Sequence, residues 1–107
     1  TGLGIWIDIG HAHRSYTNDG IPPQAFLTEF RDLIVGLHVH DNFGDDDLHL
    51  APGLRNVDWP SVIPAMRGLP ENTVVCLEMA AVPEPIGAIR GAREFLLSYA
   101  IDAAQSR

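Results

Sequence analysis

The sequence is poor in basic charge. It has seven Lys and Arg residues against fourteen Asp and Glu, which gives a formal net charge of −7 at pH 7. A surface that follows a nucleic-acid backbone needs clustered basic residues, so this balance argues against nucleic-acid binding. The same balance is compatible with a site whose carboxylates are neutralised by a bound cation.

Cysteine and long apolar runs are also scarce. The single cysteine, Cys76, excludes an internal disulfide, and together with an N-terminus that lacks a signal-peptide pattern it predicts a reducing, cytoplasmic compartment. Cys76 lies in the apolar run TVVCLEM and is predicted to be a small core residue. Because no apolar stretch reaches about eighteen residues, no membrane-spanning helix is expected.

What the sequence does contain is a repeated α/β pattern. The chain has 107 residues and is 46% hydrophobic, enough for a single domain with a core. Short apolar runs predict buried parallel strands at about residues 2–10, 33–41 and 73–80. Helical patterns follow at about residues 22–32, 58–68 and 85–104. The order βαβαβα predicts a parallel sheet with right-handed crossovers.

The length of the repeat suggests a barrel. A complete (β/α)8 TIM barrel has roughly 250 residues, or about 31 per unit, so this chain holds about three units. Its first predicted strand begins almost at residue 1, and an uncovered sheet edge promotes aggregation. We therefore expect a partial barrel, the last three βα units, whose edge is covered by another chain or by a missing N-terminal portion.

Each predicted strand ends in residues that can bind a metal ion. Asp8 and His11 follow the first strand, in DIGHAH, and His38 and His40 end the second, in HVHDN. Side chains alternate along a strand, so the two histidines share a face unless His40 already lies in the loop. Glu78 ends the third strand, where burial without a cationic partner would be costly. The carboxyl ends of parallel strands form one edge, which is where such folds build their sites.

The loop sequence DDDLHL offers a further pair of ligands. Asp47 and His49 are two residues apart, and an extended Asp-x-His segment directs both side chains to one side, where they could hold a second cation. The alternative is a solvated acidic loop, which is the favoured interpretation for Asp45 and Asp46. Structural alternatives also exist at the strand ends: a turn cap for Asp8 and a solvated position for Glu78.

Taken together, these motifs resemble a known superfamily. The segments IDIGHAH, IVGLHVHDNFGDDDLHLAPG, VDW and VVCLEM look like the last three strands of the xylose isomerase-like TIM barrels. That superfamily includes sugar-phosphate isomerases and epimerases, ketose 3-epimerases and the endonuclease IV type of apurinic endonuclease, also called AP endonuclease family 2. The resemblance covers nearly the whole chain and is specific for the superfamily, but not for a substrate.

The resemblance implies roles for the strand-end residues. Asp8 and His38 resemble the metal-binding aspartate and histidine of the sixth and seventh barrel strands. Glu78 resembles the eighth-strand glutamate, which binds metal and in epimerases also acts as the catalytic base. His11 resembles a histidine that contacts substrate in epimerases, where it would be a second catalytic residue, and that binds a further zinc in the endonucleases.

The resemblance also extends to the loop, with two departures. Asp47 and His49 resemble the pair that completes the further zinc site with His11. The family's metal site takes another glutamate from an earlier strand, and this chain has no such strand, so the pair of glutamates used by epimerases is incomplete. Arg55 stands where a second glycine is usual; it could contact a phosphate or carboxylate of the substrate, and the alternative is a solvated arginine. His40 is a further candidate for contact with the substrate.

We therefore expect a divalent-metal-dependent sugar or sugar-phosphate isomerase or epimerase, or a C-terminal part of one, acting on a small carbohydrate once other strands complete the barrel. The cation would be Mn²⁺, Mg²⁺ or Zn²⁺, because mixed carboxylate and imidazole ligands select weakly. A zinc-dependent phosphodiesterase resembling the apurinic endonucleases is a second hypothesis. A third is a non-catalytic partial barrel that assembles with another chain; isolated material would then self-associate or bind metal weakly.

Overall fold

The fold is α/β, as predicted. A computed structural model describes residues 2–105, with side chains described for residues 2–98. Its three strands form one parallel sheet in the order β1-β2-β3. In chain order the elements are β1 (Ile5–Asp8), α1 (Ile9–Asp19), α2 (Pro23–Glu29), β2 (Ile34–Val39), α3 (Trp59–Arg67), β3 (Val74–Leu77) and α4 (Pro85–Gln105), with a 3-10 turn at Arg31–Leu33 before β2.

Helix α1 is the main difference from the predicted pattern, which extended the first strand to residue 10 and placed no helix before residue 22. The strand ends at Asp8, whose carboxylate accepts a 2.8 Å hydrogen bond from the backbone N–H of His11 and so caps the helix. Gly20, with φ of 75°, ends α1 in a left-handed conformation. Because its sequence IGHAHRSYTND is mostly polar, α1 has no apolar stripe that hydrophobic periodicity could detect.

Helices α2 and α3 are short, and each has a proline in its first turn. Pro22 and Pro23 lie at the beginning of α2, where a missing backbone N–H leaves no helical hydrogen bond unmade. Helix α3 follows Asp58, whose carboxylate accepts a 2.7 Å hydrogen bond from the Ser61 hydroxyl. Pro64 lies inside α3, which is nine residues long. These short helices connect the parallel strands.

The core lies on one side of the sheet. On β2, Leu37 and Val39 are completely buried, while His38, between them, is only half-buried. This alternation directs the apolar side chains toward the helices and the histidine toward the opposite face. The buried cluster comprises Ile9, Leu27, Ile34, Leu37, Val39, Val57, Trp59, Val62, Ile63 and Leu69.

The opposite face of the sheet is open. Trp6 on β1 and Val74 on β3 are exposed, and so is Cys76, which the sequence had placed in the core. That prediction was wrong because a buried strand was assumed to be covered on both faces, whereas β3 is half-buried only at its last residue, Leu77. Within residues 2–105, none of the helices has the length and apolar content needed to cross a bilayer.

Candidate metal centre

The sheet register places the predicted strand-end residues beside one another. Asp8 is the register partner of His38, and His38 is the partner of Cys76. Glu78 lies two residues beyond Cys76, on the same face, and its backbone N–H donates to the Val39 carbonyl at 3.2 Å. The carboxyl ends of the three strands therefore direct two carboxylates and one imidazole to the same edge.

Asp8, His38 and Glu78 form what we call the strand-end group. Each offers one ligand atom, and these atoms all lie within 4.8 Å of one another. His38 Nδ1 lies 2.7 Å from Glu78 Oε2 and 3.9 Å from Asp8 Oδ2. Two carboxylates and one imidazole fit a divalent cation that accepts mixed oxygen and nitrogen ligands, such as Mn²⁺, Mg²⁺ or Zn²⁺.

A second cluster, the loop group, comprises His11, His40, Asp47 and His49. Its ligand atoms also lie within 4.8 Å of one another. The Asp47 carboxylate is central: Oδ2 lies 2.7 Å from His11 Nε2, and Oδ1 lies 3.0 Å from His49 Nε2. Imidazole-rich sets of this kind suit Zn²⁺. The predicted ligands of a second metal, His11, Asp47 and His49, all lie in this group, and His40 joins them.

His40 is the most deeply placed of these residues. It follows the last residue of β2 and is completely buried, with its ring stacked on His49 at a centroid distance of 4.0 Å and an interplanar angle of 7°. Its Nδ1 has no hydrogen-bond partner within the described residues. Gly10 makes room for the ring, because a Cβ at that position would lie 1.9 Å from His40 Cε1. His40 therefore reaches the site from the loop, not from the strand.

Asp8 connects the two groups. Its Oδ1 lies 2.7 Å from His40 Nε2, and its Oδ2 lies 3.5 Å from His11 Nδ1. Burial alone would raise the pKa of the Asp8 carboxyl, but the hydrogen bonds with His40 and the His11 backbone, and the charges of both histidines, outweigh it and lower that pKa below its usual value. Asp8 is thus held ionised, which is the state that a metal ligand requires.

Asp47 and His49 each favour the charged form of the other, so the pKa of Asp47 is lowered and the pKa of His49 is raised. Burial opposes ionisation of Asp47, yet hydrogen bonds with His11 and His49 lower the pKa of its carboxyl. Burial likewise opposes the charged form of His49, but its contacts with Asp47 and Glu78 raise its pKa. The imidazolium-carboxylate pair is therefore favoured while no cation is bound.

Backbone geometry also holds His49 in place. The backbone φ of His49 is 51°, in the left-handed region that residues other than glycine rarely adopt. Residues held in such conformations cluster at functional sites. The backbone N–H of Ala80 donates to the His49 carbonyl at 2.8 Å. The ring Nδ1 lies 3.2 Å from the Glu78 carbonyl oxygen, to which it donates when protonated, and Nε2 then faces Asp47. Such a carbonyl partner is a common way to fix the tautomer of a metal-binding histidine.

Asp41, which sequence reasoning did not single out, organises the loop that carries Asp47 and His49. It is completely buried and pairs with Leu50 in an isolated antiparallel bridge. Its carboxylate accepts hydrogen bonds of 2.9–3.0 Å from the indole N–H of Trp59 and from the backbone N–H groups of Asn42, Gly53, Arg55 and Val57. An aspartate directly after a strand, ahead of a long Gly- and Pro-containing loop, is the only sequence signal that could have indicated this role.

The remaining candidates belong to neither group. The Arg55 guanidinium carbon lies 4.9 Å from the centroid of the Phe43 ring, and its Nη1 donates to the Leu54 carbonyl. Asp45 and Asp46 are exposed, which agrees with a solvated interpretation of those two residues. The structure therefore brings together the strand-end and Asp-x-His candidates and places Arg55 elsewhere.

Comparisons with known proteins agree with this architecture. No family model matches the sequence. Over 97 residues the chain is 29% identical to the uncharacterized protein MJ1311 of Methanocaldococcus jannaschii, covering 88% of this chain and 31% of that protein. The crystal structure of a D-tagatose 3-epimerase-like protein matches with a TM-score of 0.75 and 26% identity, covering 96% of this chain and 36% of that one.

The chain thus spans about a third of the length of the relatives that it matches. The solved structure is a TIM barrel of the xylose isomerase-like superfamily. The three-stranded parallel sheet and its helices are consistent with part of such a barrel.

Proposed function

We propose that this chain forms part of a divalent-metal-dependent isomerase or epimerase that acts on a small sugar or sugar phosphate. The observation that carries the proposal is the convergence of Asp8, His38 and Glu78, whose ligand atoms lie within 4.8 Å of one another. The likeness to a D-tagatose 3-epimerase-like protein supports the reaction class. Each of the three residues comes from a different strand end, where barrel enzymes assemble their sites.

The strand-end group would hold the cation, with Asp8, His38 and one carboxylate oxygen of Glu78 serving as ligands. When bound there, a divalent cation would polarise a substrate carbonyl and stabilise the negative charge that develops on its oxygen. Asp8 enters this role already ionised, because its hydrogen bond with His40 favours the carboxylate. His38 needs only to lose its contact with Glu78 to offer Nδ1 as a ligand.

Glu78 would move the proton. Its two carboxylate oxygens face different neighbours, with Oε2 lying 2.7 Å from His38 Nδ1 and Oε1 lying 3.3 Å from His49 Nδ1. One oxygen can therefore remain on the metal side while the other receives a proton from the substrate carbon. The half-buried position of Glu78 leaves it accessible to a small molecule.

The two reaction types make different demands on this edge of the sheet. Aldose-ketose isomerisation moves a proton between neighbouring carbons on one face of an enediolate and can use a single base, such as Glu78. Epimerisation requires a base on each face, and the second would have to come from another strand. His11, which is half exposed and hydrogen-bonded to Asp47, would orient the substrate in either reaction.

Mn²⁺ binding followed by calorimetry tests the metal site. The Glu78→Gln variant should weaken binding by more than about tenfold, because a ligand charge is lost. Glu71→Gln is the matched control, since Glu71 is exposed and precedes β3, at the opposite edge of the sheet. Equal Mn²⁺ affinities in the two variants would contradict the assignment.

Solvent exchange tests the proposed chemistry. A panel of ketoses, aldoses and their phosphates would be incubated with the Mn²⁺-loaded protein in D₂O and followed by NMR. We expect deuterium at the carbon next to the carbonyl of one substrate, lost in Glu78→Gln and kept in Glu71→Gln. Failure of the unaltered protein to exchange any of them would reject the proposal that Glu78 and the strand-end group move a substrate proton without a residue from another strand.

The loop group favours a second candidate function, a zinc-dependent phosphodiesterase. Three imidazoles around the Asp47 carboxylate form a set that suits zinc, and such ions activate water for attack on phosphorus. The net charge of −7 weighs against a DNA substrate. Tight retention of zinc together with nicking of abasic DNA would favour this function over the isomerase.

A further inference from the structure

A polar cavity of about 390 Å³ opens beside His11, between α1 and the loop that follows β2. It lies next to the loop group, since His11 contributes both to that group and to the cavity wall. The residues that matter for its chemistry are His11, Arg14, Ser15 and Asn18 on α1 and Gly44 and Asp45 on the loop.

The helix contributes one continuous polar face to this cavity. His11, Arg14, Ser15 and Asn18 are spaced i, i+3, i+4 and i+7, which places them on the same side of α1. Both ring nitrogens of His11 already face carboxylates, those of Asp47 and Asp8, so the donors available to a ligand are the guanidinium, hydroxyl and amide groups of the other three side chains. A wall built from these donors suits an anion that carries several acceptor oxygens.

Arg14 provides the positive charge. Within the described residues its side chain forms no ion pair, and its Nε is buried without a hydrogen-bond partner. The planar guanidinium binds phosphate oxygens through paired N–H groups. Arg55, which the sequence had suggested for an anion, packs against Phe43 and does not line this cavity.

We propose that the cavity binds the phosphate of a phosphorylated sugar. The phosphate group would be at the end of the substrate that does not react. The carbonyl end would then lie at the strand-end group, with His11 between the two ends. This choice of substrate rests on the proposed isomerase or epimerase function, whereas the phosphate subsite stands on the cavity and on Arg14. Asp45 is the one carboxylate among the residues that line the cavity, and its charge opposes an anion.

The test uses ¹⁵N-labelled protein in metal-free buffer prepared with a chelating resin, titrated with inorganic phosphate at constant ionic strength. Saturable shifts are expected at the amide signals of α1. Arg14→Gln should weaken phosphate binding about tenfold, because a charge-assisted hydrogen bond is lost. Arg14→Lys should weaken it less, and Asp45→Asn should strengthen it.

Arg31→Gln is the control for net charge. Arg31 is exposed, lies near Asp32 and precedes β2, at the opposite edge of the sheet, so its removal should leave phosphate binding unchanged. Absence of saturable shifts, or equal weakening by Arg14→Gln and Arg31→Gln, would overturn the phosphate subsite. Since no metal is present, this result is independent of Mn²⁺ binding and deuterium exchange, which test the proposed function separately.

Discussion

Asp8 and His40 lie 32 residues apart in sequence, and their side chains are joined across a distance of 2.7 Å between Oδ1 and Nε2. This hydrogen bond connects the strand-end group to the loop group. It forms because Asp8 ends β1 while His40 follows β2, the neighbouring parallel strand. A change at either residue is therefore expected to affect both groups.

Replacing Gly10 by alanine should damage the loop group. The new Cβ would lie 1.9 Å from the His40 ring, which is completely buried and has little room to move. We expect a loss of about 1–3 kcal/mol in the free energy of unfolding, measured by urea denaturation, and weaker zinc binding. The control is Gly91→Ala, where a Cβ meets no atom within 4 Å; it should stabilise α4 by about 0.5–1 kcal/mol. Destabilisation of equal size in both variants would contradict the packing argument.

Asp41→Asn should loosen the loop that carries Asp47 and His49. The amide keeps one acceptor oxygen but directs an NH₂ group at backbone donors, so buried hydrogen bonds are lost along with the charge. A loss of about 3 kcal/mol in the free energy of unfolding is expected. Hydrogen exchange should quicken in residues 42–58. Asp46→Asn, at an exposed carboxylate of the same loop, is the control and should change neither measurement appreciably.

The raised pKa of His49 makes loop-group zinc binding sensitive to pH. Burial lowers this pKa, but the hydrogen bond with Asp47 and the contacts with Glu78 outweigh it, so a proton stays on His49 to a higher pH than the ordinary value of 6.5. Bound zinc must displace that proton, so affinity should fall as pH drops through the raised pKa. Asp47→Asn should lower the pKa of His49, as followed by the NMR titration of its ring protons. An unchanged pKa of His49 in the Asp47→Asn variant would refute the coupling between these two side chains.

The same pairing affects the stability of the metal-free protein. A histidine whose pKa is raised on folding stabilises the fold below its unfolded value, and this contribution is lost as pH rises through the folded pKa. Asp8 and Asp47, whose pKa values are lowered, stabilise the fold above their unfolded value near 3.8, and that contribution is lost as pH falls through the folded values. The urea midpoint should therefore fall at acidic pH, where Asp8 and Asp47 become protonated, and again at alkaline pH, where His49 loses its proton. A midpoint that rises steadily toward alkaline pH would contradict this expectation.

The open sheet face should promote self-association. Val74 on β3 is 53% exposed, and within the described residues β3 pairs with β2 alone. We expect concentration-dependent association in sedimentation equilibrium, reduced by Val74→Lys. Leu54→Lys is the control, since Leu54 has a similar exposure of 56% but lies in the loop after β2. A monomer at all concentrations would refute this prediction.

The parallel sheet could be predicted from the sequence because its central strand is a contiguous apolar run. The sequence IVGLHVHD also located His38, since alternation along β2 determines which side chains face the open side. Helix α1 escaped prediction because it buries only Ile9 and Gly10 at its start and is otherwise polar. The periodicity of hydrophobic residues in a sequence indicates which face of an element is buried. A polar helix beside a functional site has no such periodicity, so it cannot be predicted in this way.

The strand-end and Asp-x-His candidates could be identified from residue type and position, and the structure brings them within contact distance. Metal binding by these residues stays a prediction. The roles of His40 and Asp41 could not be derived, because each depends on partners far away in sequence: Asp8 and Gly10 for His40, and Trp59 among others for Asp41. Only the tertiary register determines such contacts.

A crystal grown with Mn²⁺ would test most directly whether one divalent ion is shared by Asp8, His38 and Glu78. An anomalous difference map recorded at the manganese edge should contain a peak within about 2.0–2.3 Å of one ligand atom from each residue. Carboxylates and imidazole that keep their mutual hydrogen bonds, with no peak between them at saturating Mn²⁺, would contradict a shared ion.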